Sequence, residues 1–372
     1  MHRFSTKAFL SSLLCLVVIL SGCAYNSLST ANNLEYEEEV ARVKRQAVSI
    51  WIPLQEGFAL APLDTPLIDR QIKLYTASDA HLQKMLEQAR PYLYFVLEEV
   101  KKRNMPTELA LLPFLESGFD VRRGNGLNPA GLWGLMPIAA RHLNIAQTPF
   151  KDERRDIVRS TEAALDLLQE LHLKYGDWHL ALAAYNWGPA NLTRAINNNQ
   201  RRKISTQYQS LTMPFETMVF VPKLLALKKI IQDPSSYKIA LPHISNKPYF
   251  EKISVKHAID ISLVLRFAEI SRETFIELNP SFNKSLIPAG KNQSLLIPVT
   301  QMASFQKNYL QYEGALSQWR SVFVEQPQSL ESFAKRWKVD PHRLRQMNGL
   351  RLGAKLQSGM MLVIPQPSLK EK

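Results

Sequence analysis

Cysteine is nearly absent from this chain, and that scarcity excludes several classes of protein. The 372 residues include two cysteines, Cys15 and Cys23. Cys15 lies in an apolar N-terminal run that we expect to be removed, and Cys23 lies at the predicted processing site. The mature chain therefore has no thiol pair for a disulfide and no usable cysteine nucleophile.

A metal-binding sequence pattern is also lacking. The eight histidines are scattered, without an HExxH motif or a similar paired spacing. Metal-dependent peptidases need such clustered ligands, so that class is excluded. We expect neither a metal nor another cofactor.

The sequence has no apolar run long enough for a comfortable membrane span, which needs about 20 residues. Its N-terminus carries Arg3 and Lys7, followed by an apolar run from Ala8 to Leu20, as in a secretory signal peptide. The run ends in Leu20-Ser21-Gly22-Cys23. This resembles the bacterial lipobox, which implies lipidation of Cys23 and membrane attachment through that anchor. The alternative is an ordinary signal peptide with an incidental cysteine.

The residue after that cysteine is Ala24 rather than Asp. In lipoproteins of bacteria with two membranes, the resemblance to chains without Asp at this position implies attachment to the inner leaflet of the outer membrane. The protein would then face the periplasm.

Acidic residues are outnumbered, and the formal net charge is +13. This charge favours contact with polyanions such as nucleic acid, acidic lipid or an acidic polymer. The chain has no groove-reading or base-stacking module, so we predict that nucleic acid is not a partner. The basic run Arg201-Arg202-Lys203 is interpreted as a solvated loop or a contact to an anionic surface. The sequence identifies no protein partner.

The pattern of apolar residues divides the chain into a helical part and a mixed part. Apolar residues at helical spacing over 81–103, interrupted by Pro91, predict two short helices meeting at a bend. Ser160 is predicted to cap a helix that ends near Gly176, and further helices are predicted over 178–185 and 215–231. The predicted units are a signal peptide (1–22), a tether (23–70), a helical domain (71–235), a linker (236–248), a first small module (249–300), a linker (301–317), a second small module (318–366) and a tail (367–372).

The two small modules are predicted repeats with the order strand, helix, helix, strand. Asn279 matches Asn348 at an offset of 69, and Ile297-Pro298 match Ile364-Pro365 at an offset of 67. Both copies resemble LysM modules, small α+β domains that recognise N-acetylglucosamine-containing glycans. The first copy is degenerate, with Asn279 followed by Pro280, so it is either a glycan-binding module or a structural spacer.

The residue with the clearest chemical potential is Glu116. It follows an apolar run and is flanked by Leu115 and Phe119. Partial desolvation in such surroundings raises a carboxyl pKa and permits general acid catalysis near neutral pH. A solvent-facing helix glutamate is the alternative from this feature alone.

Four motifs, in a fixed order along the chain, favour a catalytic Glu116 over a solvent-facing helix glutamate. They are Glu116-Ser117; Asn128-Pro129-Ala130-Gly131-Leu132-Trp133-Gly134-Leu135-Met136-Pro137; Ala183-Ala184-Tyr185-Asn186-Trp187-Gly188; and Glu216-Thr217 with Val221-Pro222-Lys223. They resemble lytic transglycosylases of goose-lysozyme-like fold, within the membrane-bound lytic murein transglycosylase D-like family. The resemblance covers nearly the whole mature chain and implies a mainly α fold followed by two small α+β modules.

The resemblance implies cleavage of peptidoglycan glycan strands between N-acetylmuramic acid and N-acetylglucosamine without water. Glu116 would be the catalytic acid and base, and the product would carry a 1,6-anhydro end. Ser117 would orient Glu116. The other implied substrate-binding residues are Trp133, Met136, Tyr185, Asn186 and Phe220.

Two departures from the family pattern keep rival functions open. Gly134 stands where the family usually has glutamine, and Phe220 stands where it usually has tyrosine. Each change removes a polar group, and the loss of one transition-state hydrogen bond can cost on the order of 100-fold in rate. A weak or inactive glycan-binding protein is therefore one rival. The other is a hydrolase of goose type, in which Asp120, Asp152 or Asp156 would activate water.

Overall fold

A computed structural model describes residues 49–290 and 293–366. The predicted signal peptide, the lipidation site at Cys23 and the tail at 367–372 lie outside these residues. Within the described ranges, no helix has the length and apolar character needed to cross a membrane.

The first part of the described chain is helical, as predicted. The helices are α1 (Trp51–Glu56), α2 (Pro66–Thr76), α3 (Asp79–Gln88), α4 (Leu93–Lys102), α5 (Leu112–Glu116), α6 (Pro137–His142), α7 (Ile157–Tyr175), α8 (Trp178–Trp187), α9 (Pro189–Arg201), α10 (Phe215–Met218) and α11 (Phe220–Gln232). Short 3-10 turns occupy Thr107–Leu111, Glu153–Arg155, Tyr208–Ser210 and Ser235–Tyr237. The predicted bend at Pro91 is confirmed, because α3 and α4 meet on either side of it.

The start of the long helix α7 differs from the prediction. Asp156, not Ser160, is the N-cap, and its carboxylate accepts hydrogen bonds from the backbone N–H groups of Val158 and Arg159. The Ser160 hydroxyl instead donates to the Asp156 carbonyl at 2.6 Å within the first turns of the helix. Gly176 ends the helix with φ +68°, as expected for a left-handed C-terminal residue.

The predicted tether is wrong for residues 49–70, because this segment packs into the helical core. Trp51 and Leu54 are buried, and the Trp51 indole N–H donates to the Pro242 carbonyl at 2.8 Å. Glu108 is fully buried and accepts hydrogen bonds from the backbone of residues 59 and 60 and from Lys228. Pro66 is the first residue of α2, a position that suits proline, so it begins a helix instead of marking a tether.

Two small modules follow, each with the predicted βααβ order and, in addition, two short inner strands that were not predicted. The first contains β1 (Phe250–Ser254), β2 (Ile259–Asp260), α12 (Ile261–Ala268), α13 (Arg272–Leu278), β3 (Leu286–Ile287) and β4 (Ser294–Pro298). A 3-10 turn (Val299–Gln301) and α14 (Met302–Leu310) come next, and the second module contains β5 (Trp319–Phe323), β6 (Gln328–Ser329), α15 (Leu330–Arg336), α16 (Pro341–Met347), β7 (Lys355–Leu356) and β8 (Met361–Pro365). In each module the outer strands pair antiparallel, and a short second ladder joins the two inner strands.

The two matched asparagines have the same structural role, which confirms the predicted repeat. Asn279 donates to the Leu296 carbonyl and accepts from the Leu296 N–H, both at 2.8 Å. Asn348 makes the same pair of bonds with Val363, at 2.9 and 2.7 Å. Each asparagine therefore ties the end of its second helix to the closing strand, and burial makes these bonds costly to lose.

The predicted linkers are also ordered parts of the fold. Residues 301–317 contain α14, whose Phe305 is buried against Phe267 of the first module with ring centroids 6.2 Å apart. The apolar residues of α14 at helical spacing, among them Met302 and Tyr309, explain why it folds onto this module. In 236–248, Ile239 and Ile244 are buried in the main core.

The modules pack directly against the helical part. The Asp152 N–H donates to the Ser281 carbonyl at 2.9 Å, and the Asn283 N–H donates to the Phe150 carbonyl at 2.8 Å. Phe150 also belongs to an apolar cluster shared by both modules, with Ala258, Leu286 and Val363. The described units thus form one packed body around the segment 147–155.

Candidate active site

Glu116 is the last residue of α5, and a tight turn fixes its position. The N–H groups of Ser117 and Phe119 both donate to the Pro113 carbonyl, and Gly118 and Phe119 have φ near +65° and +60°. A positive φ is strained for phenylalanine, but its ring is buried edge-on against Phe114, with centroids 4.6 Å apart. The packing of Phe119 therefore holds the turn that presents Glu116.

A second loop lies opposite α5 and carries residues 130–136. It closes on itself through two backbone hydrogen bonds between Ala130 and Leu135. The fully buried Arg154 supports it by donating to the Leu135 carbonyl at 3.3 Å. It also donates to the carbonyls of Gly126 and Asn128 just before the loop, while Asp152 neutralises the guanidinium at 2.7 Å. No sequence pattern predicted this support, because arginine is rarely expected in a core.

The two segments meet α8, α10 and α11 in a cleft of about 290 Å³. Six of the seven predicted catalytic and substrate-binding residues line it, together with three charged residues and one glycine that the sequence analysis did not assign to the site. The residues are Glu116, Trp133, Met136, Tyr185, Asn186 and Phe220, joined by Arg123, Gly134, Glu216 and Lys223.

Trp133 and Ser117 do not act as the sequence predicted. The Trp133 indole is 0% exposed and donates to Thr161 Oγ1 at 2.9 Å, so its ring is anchored in the core and cannot stack on a sugar. The Ser117 hydroxyl donates to the Leu132 carbonyl at 2.9 Å and to the Pro113 carbonyl, not to the Glu116 carboxyl. Ser117 thus joins α5 to the loop and positions Glu116 only through the backbone.

Tyr185 and Asn186 are each held by a specific partner. The Tyr185 hydroxyl donates to the Trp133 carbonyl at 3.0 Å. Burial and the neighbouring Glu116 carboxylate raise the Tyr185 pKa, so the phenol stays protonated as a donor. Asn186 Oδ1 accepts from the Thr217 hydroxyl at 2.8 Å, which leaves its amide nitrogen as a donor toward the cleft.

Met136 and Phe220 form the apolar part of the lining. Met136 is 46% exposed and offers its side chain to a ligand, whereas Phe220 is 5% exposed and mainly closes the wall. A phenylalanine here keeps the volume of an aromatic ring but supplies no hydroxyl to the cleft.

Gly134 leaves room for the Glu116 carboxyl. Its φ is +58°, and a Cβ atom built on it would lie 2.6 Å from Glu116 Oε2. The Glu116 carboxyl therefore occupies space that any side chain at position 134 would enter. A glutamine at position 134 would require this carboxyl to move from its present position.

The electrostatics of the cleft keep a substantial fraction of Glu116 protonated near neutral pH. Burial is the largest cause and raises the Glu116 pKa from 4.5 to about 7. Arg123 and Lys223 lower this pKa, and Glu216 raises it. A carboxyl with such a pKa can both give and take a proton at neutral pH.

The charged residues Arg123, Glu216 and Lys223 were not assigned to the site from the sequence. Glu216, Phe220 and Lys223 are spaced four and three residues apart, which would have placed them on one helical face. Arg123 had no comparable signal, since it lies in a turn and contacts the Glu116 carbonyl only in the folded chain.

The aspartates proposed for a hydrolase lie outside the cleft lining. Asp152 pairs with Arg154, and Asp156 caps α7 while pairing with Lys151 at 2.6 Å. Asp120 accepts from the Arg122 backbone N–H on another face. None of the three is placed to activate water beside Glu116.

Known protein families match both the helical part of the chain and its two small modules. The model of the transglycosylase SLT domain matches residues 94–208, that of the LysM-like domain of lytic transglycosylase MltD matches 249–314, and that of the LysM domain matches 324–365. Membrane-bound lytic murein transglycosylase D of Escherichia coli (strain K12) is 32% identical over 327 residues, which cover 85% of this chain and 72% of that protein. The protein of that name from E. coli O6:H1 (strain CFT073) shows the same values.

We predict that Glu216→Gln lowers the pKa of Glu116. Removing a neighbouring negative charge makes ionisation of Glu116 easier, whereas the larger effect of burial remains. Carbon-13 NMR titration of glutamate carboxyl groups, assigned with Glu116→Gln, measures this value. Glu170→Gln, an exposed change on α7, is the control. A Glu116 pKa that is unchanged or raised in Glu216→Gln would contradict the electrostatic description of the cleft.

Proposed function

The chain belongs to the family of membrane-bound lytic murein transglycosylase D, and on this premise we propose that Glu116 is its one acid and base. The protein is a peptidoglycan lytic transglycosylase, which cleaves the bond between N-acetylmuramic acid and N-acetylglucosamine without water. The observation that carries the assignment of Glu116 is its buried carboxyl in the cleft, with a pKa raised to about 7.

In the proposed reaction, protonated Glu116 first gives its proton to the glycosidic oxygen. The bond from muramoyl C1 to that oxygen breaks, and the N-acetylglucosamine hydroxyl leaves. Glu116, now a carboxylate, takes the proton from the muramoyl 6-hydroxyl, whose oxygen bonds to C1. The product carries a 1,6-anhydro ring, and Glu116 ends protonated as it began.

One carboxyl group suffices because the nucleophile belongs to the substrate. Ordinary glycosidases use a pair of carboxyl groups, one of which activates water or attacks the sugar. Glu216 also lines the cleft, and we propose that it acts on the pKa of Glu116 instead of activating water. Tyr185, Asn186 and Met136 would contact or position the sugars.

The LysM modules add peptidoglycan binding to cleavage. Because they pack on the catalytic body, they would present the strand at a fixed place, not at the end of a flexible tether. We propose a catalytic body over residues 49–248, a first module extended through α14, and a second module over 318–366.

We also propose that Cys23 is lipidated and holds the enzyme on the outer membrane, facing the periplasm. The support is the Leu20-Ser21-Gly22-Cys23 sequence together with Ala24. The E. coli relative is itself named as membrane-bound.

We expect Glu116→Gln to lower the rate of cleavage by at least about 100-fold, because amide nitrogen cannot replace the acid. Purified sacculi digested with the wild type should yield anhydromuropeptides by mass analysis, and those treated with Glu116→Gln should not. Glu170→Gln is the matched control. Reducing ends from the wild type would indicate a hydrolase, and no products from the wild type would indicate a binding protein.

We expect Gly134→Ala to lower kcat on the order of 10- to 100-fold, because the added methyl group displaces the Glu116 carboxyl. Gly126→Ala separates this effect from backbone strain, since Gly126 has a similar φ of +54° and no atom within 4 Å of a Cβ atom. Steady-state cleavage rates of the two variants are compared. Equal rates in both would show that space beside Glu116 is unimportant.

Cys23→Ser should move the protein from the membrane fraction to the soluble fraction of the envelope, without loss of activity on soluble glycan strands. Fractionation and labelling with a radioactive fatty acid measure this. Retention of Cys23→Ser in the membrane fraction, or an unlabelled wild type, would contradict the anchor.

A further inference from the structure

Lys223 is a positively charged residue of the cleft lining. It lies in the first turn of α11, where its backbone N–H donates to the Val219 carbonyl at 2.9 Å. The side chain is partly buried and lines the cleft beside Glu116. Within residues 49–290 and 293–366, its ammonium group has no carboxylate partner.

Other buried lysines of the fold do have such partners. Lys228, on the same helix, pairs with Glu108 at 2.7 Å. Lys151 pairs with Asp156 at 2.6 Å. Taking an ammonium group out of water is costly unless an anion compensates it, and these pairs follow that rule. Lys223 is only partly buried, and it lines the cleft without such a partner among the described residues.

Arg123 is a second cation of the cleft lining, and its side chain is exposed. Its guanidinium donates to the backbone carbonyl of Glu116, which satisfies only part of its donor set. Among the described residues neither Arg123 nor Lys223 forms an ion pair with Glu216, the other carboxylate of the cleft. Both cations lie close enough to Glu116 to lower its pKa.

We propose that Lys223, with Arg123 beside it, binds a carboxylate of the substrate next to the bond that is cut. This inference rests on the proposed function and defines its substrate more closely. Peptidoglycan offers such a group from two sources, the peptide stem or, once the stem is removed, the lactyl group of the muramoyl sugar. A charge-assisted contact would orient the muramoyl ring, because carboxylate and ammonium groups bind strongly in a partly desolvated site.

Lys223 also lowers the pKa of Glu116, and the test must separate the two effects. Removing the cation raises that pKa, so Glu116 stays protonated at low pH in the wild type and in the variant alike. Rates are therefore measured at about pH 5.5, where ordinary carboxyl groups with pKa values of about 4 remain ionised.

The experiment compares the wild type, Lys223→Met and Lys223→Arg on soluble glycan strands. Lys229→Met, an exposed change on the same helix, is the control. The strands are stem-bearing or stripped of stems by an amidase, and each kind is used as prepared and after conversion of its carboxylates to neutral amides. Circular dichroism checks that the variants are folded.

We expect Lys223→Met to raise KM about 10-fold on a carboxylate-bearing strand and to have little effect on its neutral form. Lys223→Arg should restore most of the binding. A loss confined to stem-bearing strands identifies the stem as the source, and a loss confined to stripped strands identifies the lactyl group.

An equal loss on charged and neutral strands, or no loss on any strand, would overturn the inference while leaving the proposed function intact. A wild type that makes no anhydro product from any strand would overturn the proposed function, and this inference with it.

Discussion

The removal of the Glu116 carboxyl from water is the constraint on which the rest of the catalytic body depends. An ordinary glutamate is ionised at neutral pH and cannot serve as an acid, so burial must be maintained by the surrounding fold. The turn locked by Phe119 presents the residue, and the loop held by Arg154 covers it. Tyr185 then fastens this loop to α8 through the Trp133 carbonyl.

The unusual composition of the cleft follows from the same constraint. Gly134 leaves room for the carboxyl where a side chain would displace it, and Phe220 supplies an apolar wall. They stand in place of the glutamine and tyrosine of the family pattern, so the cleft has two fewer polar side chains. Both replacements help to keep the Glu116 carboxyl away from water. The cations Arg123 and Lys223 oppose the rise in pKa, and Glu216 supports it. The pKa of Glu116, the proposed acid, is therefore set by a balance of burial and nearby charges.

The sequence predicted those features that depend on neighbouring residues. Helical spacing located the helices on both sides of Pro91, and the repeat located Asn279 and Asn348 in equivalent positions. The cap of α7 was misassigned for a local reason, because Asp156 and Ser160 are both suitable cap residues. The other two errors arose where distant contacts decide. The fold brings Thr161 next to Trp133, and residues 49–70 pack into the helical core.

We propose that the form of the free enzyme that cleaves the strand has a protonated Glu116. The pH dependence of kcat/KM on soluble glycan strands, with anhydro ends counted as product, tests this proposal most directly. We expect a plateau at acid pH and a fall of about tenfold per pH unit above the Glu116 pKa of about 7. A rate that instead rises through this pKa would show that ionised Glu116 is required, and would contradict the account.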